Sequence, residues 1–383
     1  FSTRCTWGFD GREKRNGGTS AFNSIPNMKS KFSVLRSIRR KEFNAENYFT
    51  KPFTFKGKQK SVYENANLSI FVNESCNADC RFCVDQLRFE GKGKTFIKER
   101  IADDEEYFTR LEEVLSTLRP LNPSISITGG EPTKSHRLPR ILKLVSKYNF
   151  RKRVITTNGS GLLDIVDGKR IIDHIVENGF HHMNISKTHY LENVNANIMK
   201  FSNNYFCNEQ MREVVKVALS GNVRPRLSCL LLKSGISSIE AMMRYLDYYG
   251  EMGVDNIIFR ETMDYDKSVM HNIPKLRFLE EQKIKLDDIW SEIDLLQHIF
   301  RPITQVLGYY YYCEVYKYKN IDVVMESADL SAIDPQKEKT PNTVFEMVFH
   351  LNGNLCGSWL EDEDILLPYE CSGSQLSYST RGL

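Results

Sequence analysis

From about residue 66 onward, short apolar runs alternate with segments whose apolar residues return every three or four positions. The β-like runs fall at Leu68–Val72, Ser124–Thr128, Val154–Thr157, His182–Ser186, Leu227–Leu232 and Asn256–Phe259. The clearest helical pattern is Asp103–Leu118, where Tyr107, Leu111, Val114 and Leu118 share one face. Others run near Leu138–Tyr148, Ile171–Asn178, Met211–Leu219 and Ile239–Met252. Parallel neighbours need a crossover between them, so this alternation predicts a parallel α/β sheet. Six such units fit a doubly wound open sheet or an incomplete β/α barrel.

Past residue 300 the texture changes. Tyr309–Tyr318 and Ile321–Met325 read as a hairpin around Lys319–Asn320, and Val344–Leu351 and Asn354–Trp359 as another around Asn352–Gly353. The helical stretch Pro274–Phe300 leads into them. The expected organisation is a basic N-terminal extension over 1–65, a core over 66–262, a helical connector over 263–300 and a β-rich appendage over 301–383.

Composition narrows the class. Of the 383 residues, 41% are apolar and 26% charged, which suits a core-forming globular chain rather than a disordered one. No apolar run approaches the roughly 18 residues of a membrane span, and the chain does not open on a secretory signal. No membrane partner and a cytoplasmic location are the expectation. The net charge of +3 hides an asymmetry: residues 1–60 carry fourteen Lys/Arg against four Asp/Glu. Such an arm attracts phosphates or is simply solvated. Phe43, Tyr48, Phe53 and Phe55 suggest that its second half packs on something, and Arg36, Arg39, Arg40 and Lys41 read as a solvated helix face. No nucleic-acid partner is expected.

Nine cysteines at irregular spacing are not a disulfide framework. Cys5, Cys207, Cys229, Cys313, Cys356 and Cys371 are scattered, whereas Cys76, Cys80 and Cys83 sit in one short loop behind the first β-run. Iron–sulfur clusters are held by thiolates in such short-spaced runs, and three local ligands leave one iron of a four-iron cluster open. Structural zinc normally takes four ligands, commonly two pairs, and no second pair lies nearby. The second β-run ends in Gly129-Gly130-Glu131-Pro132, where two glycines allow close backbone approach to a ligand.

The C-x3-C-x2-C loop and the Gly-Gly-Glu-Pro string resemble the radical S-adenosylmethionine (SAM) superfamily. Thr156-Thr157-Asn158-Gly159 after the third run and Asn184-Ile185-Ser186 in the fourth extend the match. Leu227–Lys233 in the fifth and Ile258-Phe259-Arg260 in the sixth continue it. The similarity is greatest to the molybdopterin-precursor cyclase and SPASM/twitch branch.

The resemblance implies a partial (β/α)6 barrel with a small C-terminal twitch-like appendage. It also implies an enzyme that cleaves SAM reductively and abstracts hydrogen from its substrate with a 5′-deoxyadenosyl radical. Cys76, Cys80 and Cys83 would ligate a [4Fe-4S] cluster. Phe82 would pack near the adenine, and Gly129, Gly130 and Glu131 would hold the methionyl ammonium. Asn158 and Ser186 would reach the ribose or carboxylate, and Phe259 would line the adenine side. A low-potential electron donor of flavodoxin or ferredoxin type is the implied partner. A small metabolite (a sugar, amino acid or nucleotide) is the expected substrate, with a ribosomal peptide second. A metal-stabilised nucleic-acid-binding module is the contrasting reading.

Departures from the branch are also legible. Thr188 stands where relatives often carry an acidic residue, and the tail offers only Cys313, Cys356 and Cys371, with no tight pair for an auxiliary cluster. Cys229 is a candidate hydrogen donor, although a strand cysteine is ordinarily buried and apolar. Alternation puts it on the face opposite Ser228, which is expected to look inward. His181 and His182 read as helix–sheet packing.

Overall fold

The computed structural model describes residues 32–39, 49–87, 99–267, 270–370 and 377–378. The readings at Cys5, Arg40, Lys41, Phe43, Tyr48 and Cys371 lie outside the described residues. The chain enters through a short helix, α1 (Ser33–Ile38), and an antiparallel hairpin, β1 (Thr50–Phe55) and β2 (Lys58–Tyr63). The hairpin turns at Lys56 and Gly57, both at positive φ, the backbone of a tight primed turn.

Six parallel strands follow: β3 (Asn67–Phe71), β4 (Ser124–Thr128), β5 (Lys152–Thr157), β6 (His182–Ser186), β7 (Arg224–Leu230) and β8 (Asn256–Arg260). Each pairs with the next in chain order. The helices lie in the crossovers: α2 (Asp104–Leu118), α3 (Leu138–Lys147), α4 (Ile171–Glu177), α5 (Glu192–Met199), α6 (Asn208–Ser220) and α7 (Ile239–Gly250). Asp103 starts α2 by accepting a hydrogen bond from the Glu106 backbone N–H at 2.8 Å, and three acidic residues in its first turn suit the helix dipole.

Alternation divides every strand. Ile125, Ile127, Ile155, Met183, Ile185, Leu227 and Ile257 face the helices and form the main core. The residues between them face into the barrel. They are mostly polar, among them Ser126, Thr156, Asn184 and Arg226, all buried.

After α8 (Ile273–Gln282) and α9 (Leu286–Leu295), the tail joins this same sheet at both edges. β9 (Phe300–Leu307), β10 (Tyr311–Tyr318) and β11 (Ile321–Ala328) form an antiparallel meander, and β11 lies parallel to β8 from Asn256↔Asp322 to Arg260↔Glu326. A further helix, α10 (Ile333–Lys339), leads to β12 (Met347–Phe349), which lies parallel to β3. β13 (Leu355–Cys356) and β14 (Ile365–Leu367) complete that flank. The six-unit barrel is thus extended by one parallel strand on each side. The two flanks meet where the Tyr309 ring stacks on Phe345 at 4.8 Å, with Tyr310, Met263 and Ile333 in the same cluster.

Helix α1 docks against the tail. Arg36 pairs with Glu314 at 2.7 Å and Asp294 at 2.8 Å, Arg39 pairs with Asp287, and both guanidinium groups lie over Trp290. The reading of Arg36 and Arg39 as a solvated face is therefore corrected: acidic partners on α9 and β10 take up both charges. Among the described residues no helix is long and apolar enough to cross a membrane.

Candidate active site

The loop after β3 carries Cys76, Cys80 and Cys83, and three neighbours fix its path. On one side, Asn73 Oδ1 accepts from the Ser75 N–H at 3.2 Å, and the Ser75 carbonyl accepts from the Glu131 N–H at 2.9 Å. On the other, Asp79 N–H donates to the Lys200 carbonyl at 2.9 Å, and Ser202 N–H donates to the Asn77 carbonyl at 2.8 Å, tying the loop to the end of α5. From below, Lys275 Nζ donates to the Cys80 carbonyl at 2.7 Å and to Asp79 at 2.6 Å.

The two glycines after β4 are required by this junction. Gly130 has φ +49, and a Cβ there would sit 2.2 Å from the Ser75 carbonyl oxygen. Gly129 has φ +92, and a Cβ there would meet the Phe71 ring at 2.5 Å. The close approach expected toward a ligand is thus also an approach of one site loop to another. Gly130 remains exposed beside the exposed Cys76, so both border the open C-terminal mouth of the barrel.

Glu131 lies fully inside. Its carboxylate accepts from Thr133 N–H at 3.0 Å, Thr133 Oγ1 at 2.6 Å, Thr157 Oγ1 and the Asn158 N–H at 2.7 Å. Burial pushes its pKa above the usual carboxylate range, with the Asn158, Thr133 and Thr157 donors pulling against that shift. The side chain joins the turns after β4 and β5. Asn158 extends the link, its Nδ2 donating to Asn77 Oδ1 at 3.0 Å and lying 3.7 Å from Cys76 Sγ.

The donor set suits a thiolate-bound cluster. Cys76 is open to solvent on one side, yet desolvation by the loop packed around it, then Glu131, raises its thiol, and the Ala78 N–H at 3.4 Å and Asn158 Nδ2 pull it back. Such N–H···S contacts favour the thiolate a metal needs. Burial also raises Cys80 and Cys83, with Cys83 the next influence on Cys80 and Asp85 on Cys83. Among the described residues no three His, Cys, Asp or Glu side chains converge as a single metal ion demands. A four-iron cluster, several atoms across, spaces its ligands more widely.

The remaining candidates divide. Phe82 is buried with Ile198, Met199 and Leu230 beside the loop. Ser186 is part-exposed at the end of β6, opposite Ser228. Phe259 is not inward: it lies in the helix-side core, 5.5 Å from the Tyr245 ring, because alternation turns Ile258 and Arg260 into the barrel instead. Cys229 shares that outer core, its thiol 3.4 Å from the Thr188 carbonyl, while Ser228 accepts from Arg260 Nη1 on the inner face. Thr188 is turned to α5, bonding Asn195 Oδ1 through its N–H at 2.8 Å. His182 faces the barrel rather than helix packing, and burial, then Lys152 and Arg226, push its imidazole pKa down. Cys313 and Cys356 stand on opposite flanks of the sheet, in β10 and β13.

Sequence reasoning missed the buried pair Arg260–Glu326, 2.7 Å apart at the ends of β8 and β11. The signal was Arg260 two positions after Ile258 on an inward face. It also missed Lys275, which lies almost 200 residues from the loop it supports.

No family model matches the chain. It is 32% identical over 97 residues to 7,8-dihydro-6-hydroxymethylpterin dimethyltransferase of Methanocaldococcus jannaschii, a match covering 25% of this chain and 18% of that protein. Among solved structures, native anSMEcpe with bound AdoMet overlaps 51% of this chain and 50% of its own at 17% identity and a TM-score of 0.38. The Escherichia coli coproporphyrinogen III oxidase HemN, a radical SAM enzyme, overlaps 62% and 54% at 15% identity and a TM-score of 0.40. The chain thus spans about half the length of these structures and less than a fifth of the curated relative. The structure thus places the C-x3-C-x2-C loop behind the first parallel strand and the Gly-Gly-Glu-Pro turn behind the second, the arrangement that the resemblance to radical SAM enzymes implies. The cofactors of that class are a [4Fe-4S] cluster and SAM.

Proposed function

We propose that this protein is a radical SAM enzyme acting on a small biosynthetic metabolite. The observation that carries the reading is the junction of the three-cysteine loop with the turns after β4 and β5. Glu131 N–H meets the Ser75 carbonyl at 2.9 Å, and Asn158 reaches Cys76 Sγ at 3.7 Å. Cys76, Cys80 and Cys83 would hold the cluster, with Phe82 beside them. When bound, a cluster of this kind supplies the electron that cleaves SAM to methionine and the 5′-deoxyadenosyl radical, which removes a hydrogen atom from substrate carbon.

The chain's own residues do the rest. Gly129 and the exposed Gly130 would offer their backbone to a ligand ammonium. Buried Glu131 fixes that turn, its Oε1 accepting three hydrogen bonds and its Oε2 one. Asn158 and Ser186 offer polar groups at adjacent strand ends. Burial among Leu230, Ile198 and Met199 keeps water from the Phe82 side of the loop. The pterin-acting relative, matched over a quarter of the chain, agrees with a small-molecule substrate. A low-potential protein of flavodoxin or ferredoxin type would deliver the electron.

The test is reconstitution without oxygen. The protein should bind about four irons per chain and form 5′-deoxyadenosine from SAM. A variant with Cys76, Cys80 and Cys83 replaced by Ala should lose both, and cleavage surviving in it would overturn the reading.

A further inference from the structure

The barrel interior is unusually polar for its fold. Barrels of this kind normally fill their interior with branched apolar side chains. Here the inward positions toward the N-terminal ends of β4 to β7 carry Ser124, Ser126, Lys152, His182, Asn184 and Arg226. Register sets Ser124 opposite Lys152, and Thr156, Asn184 and Arg226 in one row further along the strands, with the Arg226 charge still acting on Lys152. All but the part-exposed His182 are deeply buried, with Lys152 at 7% exposure, Arg226 at 5%, Asn184 at 3% and Ser126 at 0%.

Their polar atoms are not fully used. Ser124 Oγ, Ser126 Oγ, His182 Nδ1 and Asn184 Oδ1 are buried with no hydrogen-bond partner. The Lys152 side chain has no hydrogen-bond or ion-pair partner among the described residues. Burial first, and then the cations Arg226, Arg151 and Arg224, hold its ammonium down to about 6. The nearby carboxylates are spent elsewhere, since Asp255 and Asp322 both pair with Arg224. A buried amine among cations and orphaned hydroxyls is costly unless something of opposite charge completes it.

We propose that this layer is the floor of the substrate site and takes the phosphate of a phosphorylated small molecule. Lys152 and Arg226 are its charged contacts, and Ser124 and Ser126 are its hydroxyl donors. A phosphate dianion would return the proton to Lys152 and accept from both hydroxyls, while Asn184 Oδ1 is free for a substrate hydroxyl. The inference rests on the proposed function, because it names the substrate class of the same barrel.

The experiment uses the full chain carrying its cluster, with inorganic phosphate as probe and acetate as control. Affinity is read by phosphorus NMR titration, and stability by thermal unfolding with and without phosphate. Phosphate should bind saturably and raise the melting temperature, and acetate should not. Lys152→Met should weaken phosphate affinity about tenfold to a hundredfold, yet melt higher than the parent in the absence of phosphate, since it removes an unpaired buried amine. Ser126→Ala, a mild change in case the first variant does not fold, should weaken phosphate binding severalfold. An absent or acetate-like response of the parent, or unchanged phosphate affinity in either variant, overturns the proposal. SAM cleavage is measured on the same samples. Its loss with phosphate binding intact would mark a failure of the radical SAM reading instead, and its presence without phosphate binding a failure of the floor alone.

Discussion

Glu131 and Asn158 are joined by a 2.7 Å hydrogen bond from the Asn158 backbone N–H to the buried Glu131 carboxylate. Two strand-end turns are thereby locked together, and the Asn158 side chain then reaches the cysteine loop. The carboxylate expected to meet a ligand ammonium is thus also a brace within the protein.

That double duty sets the first expectation. Glu131→Ala leaves the donors of Thr133, Thr157 and Asn158 facing a cavity, which should cost about 3 kcal/mol. SAM affinity should fall about tenfold to a hundredfold, because the turn and Asn158 both lose their anchor. Urea unfolding together with equilibrium SAM binding checks this. Undiminished stability would mean that the brace carries no load, and undiminished affinity that the turn needs no carboxylate.

The basic arm gives the second. Arg36 meets Glu314, whose side chain is wholly buried, so Arg36→Ala strands a carboxylate beside Tyr312 and Tyr316. Loss of one partner of a buried pair costs about 3–5 kcal/mol. Arg36 and Arg39, spent in this way, add nothing to a salt-dependent grip on nucleic acid. Tight RNA or DNA binding with a slope of several units, removed by deleting residues 1–42, would contradict this view of the arm.

Much of the barrel was legible because parallel strands and amphipathic helices print two distinct periods on the chain. Ser124–Thr128 and His182–Ser186 stand at their expected bounds, and helix α2 differs by one residue. The β1–β2 hairpin was not legible, since Lys56-Gly57 sits in a basic stretch with little apolar alternation. Nor was the pairing of β12 with β3, because partners nearly 280 residues apart leave no local trace. At the site, the cysteines and glycines announced themselves through spacing. Phe259 did not, because its face depends on a register that only the folded sheet supplies. Strand alternation did put Ser228 and Cys229 on opposite faces, and the family resemblance pointed to Ser228 as the inward one.

His350 supplies a pH expectation. It is fully buried, with Nε2 3.1 Å from the Ser358 carbonyl, and burial pushes its pKa down to about 4. The unfolded chain takes up this proton near pH 6.5, whereas the folded protein refuses it until about pH 4. Stability from this residue is therefore full above pH 6.5 and drains away as pH falls toward 4, by about 3 kcal/mol in all. His350→Gln should flatten that part of the stability profile measured by urea unfolding between pH 7 and pH 4. An equally steep acid limb in the variant would assign the loss to other groups.

Tyr309 and Phe345 belong to the two flanks that extend the sheet beyond β8 and β3, and their stacked rings lie 4.8 Å apart. A barrel of six units is open along one side, and under the proposed function a carbon radical formed inside it would have to be kept from water and stray hydrogen donors. The aromatic cluster of Tyr309, Tyr310 and Phe345 stands where those flanks meet, so it is the cover most able to respond to a bound substrate. Tyr309→Ala should cost at most about 3 kcal/mol, since the ring is buried at the edge of a small cluster. Its larger effect should be on coupling: more 5′-deoxyadenosine released for each product formed, with SAM affinity unchanged. Hydrogen exchange should also slow over residues 308–312 and 343–347 when SAM and substrate bind together, and less so in the variant. An unaltered ratio of 5′-deoxyadenosine to product, with exchange at these segments indifferent to substrate, would make the stacked pair a packing contact and no more.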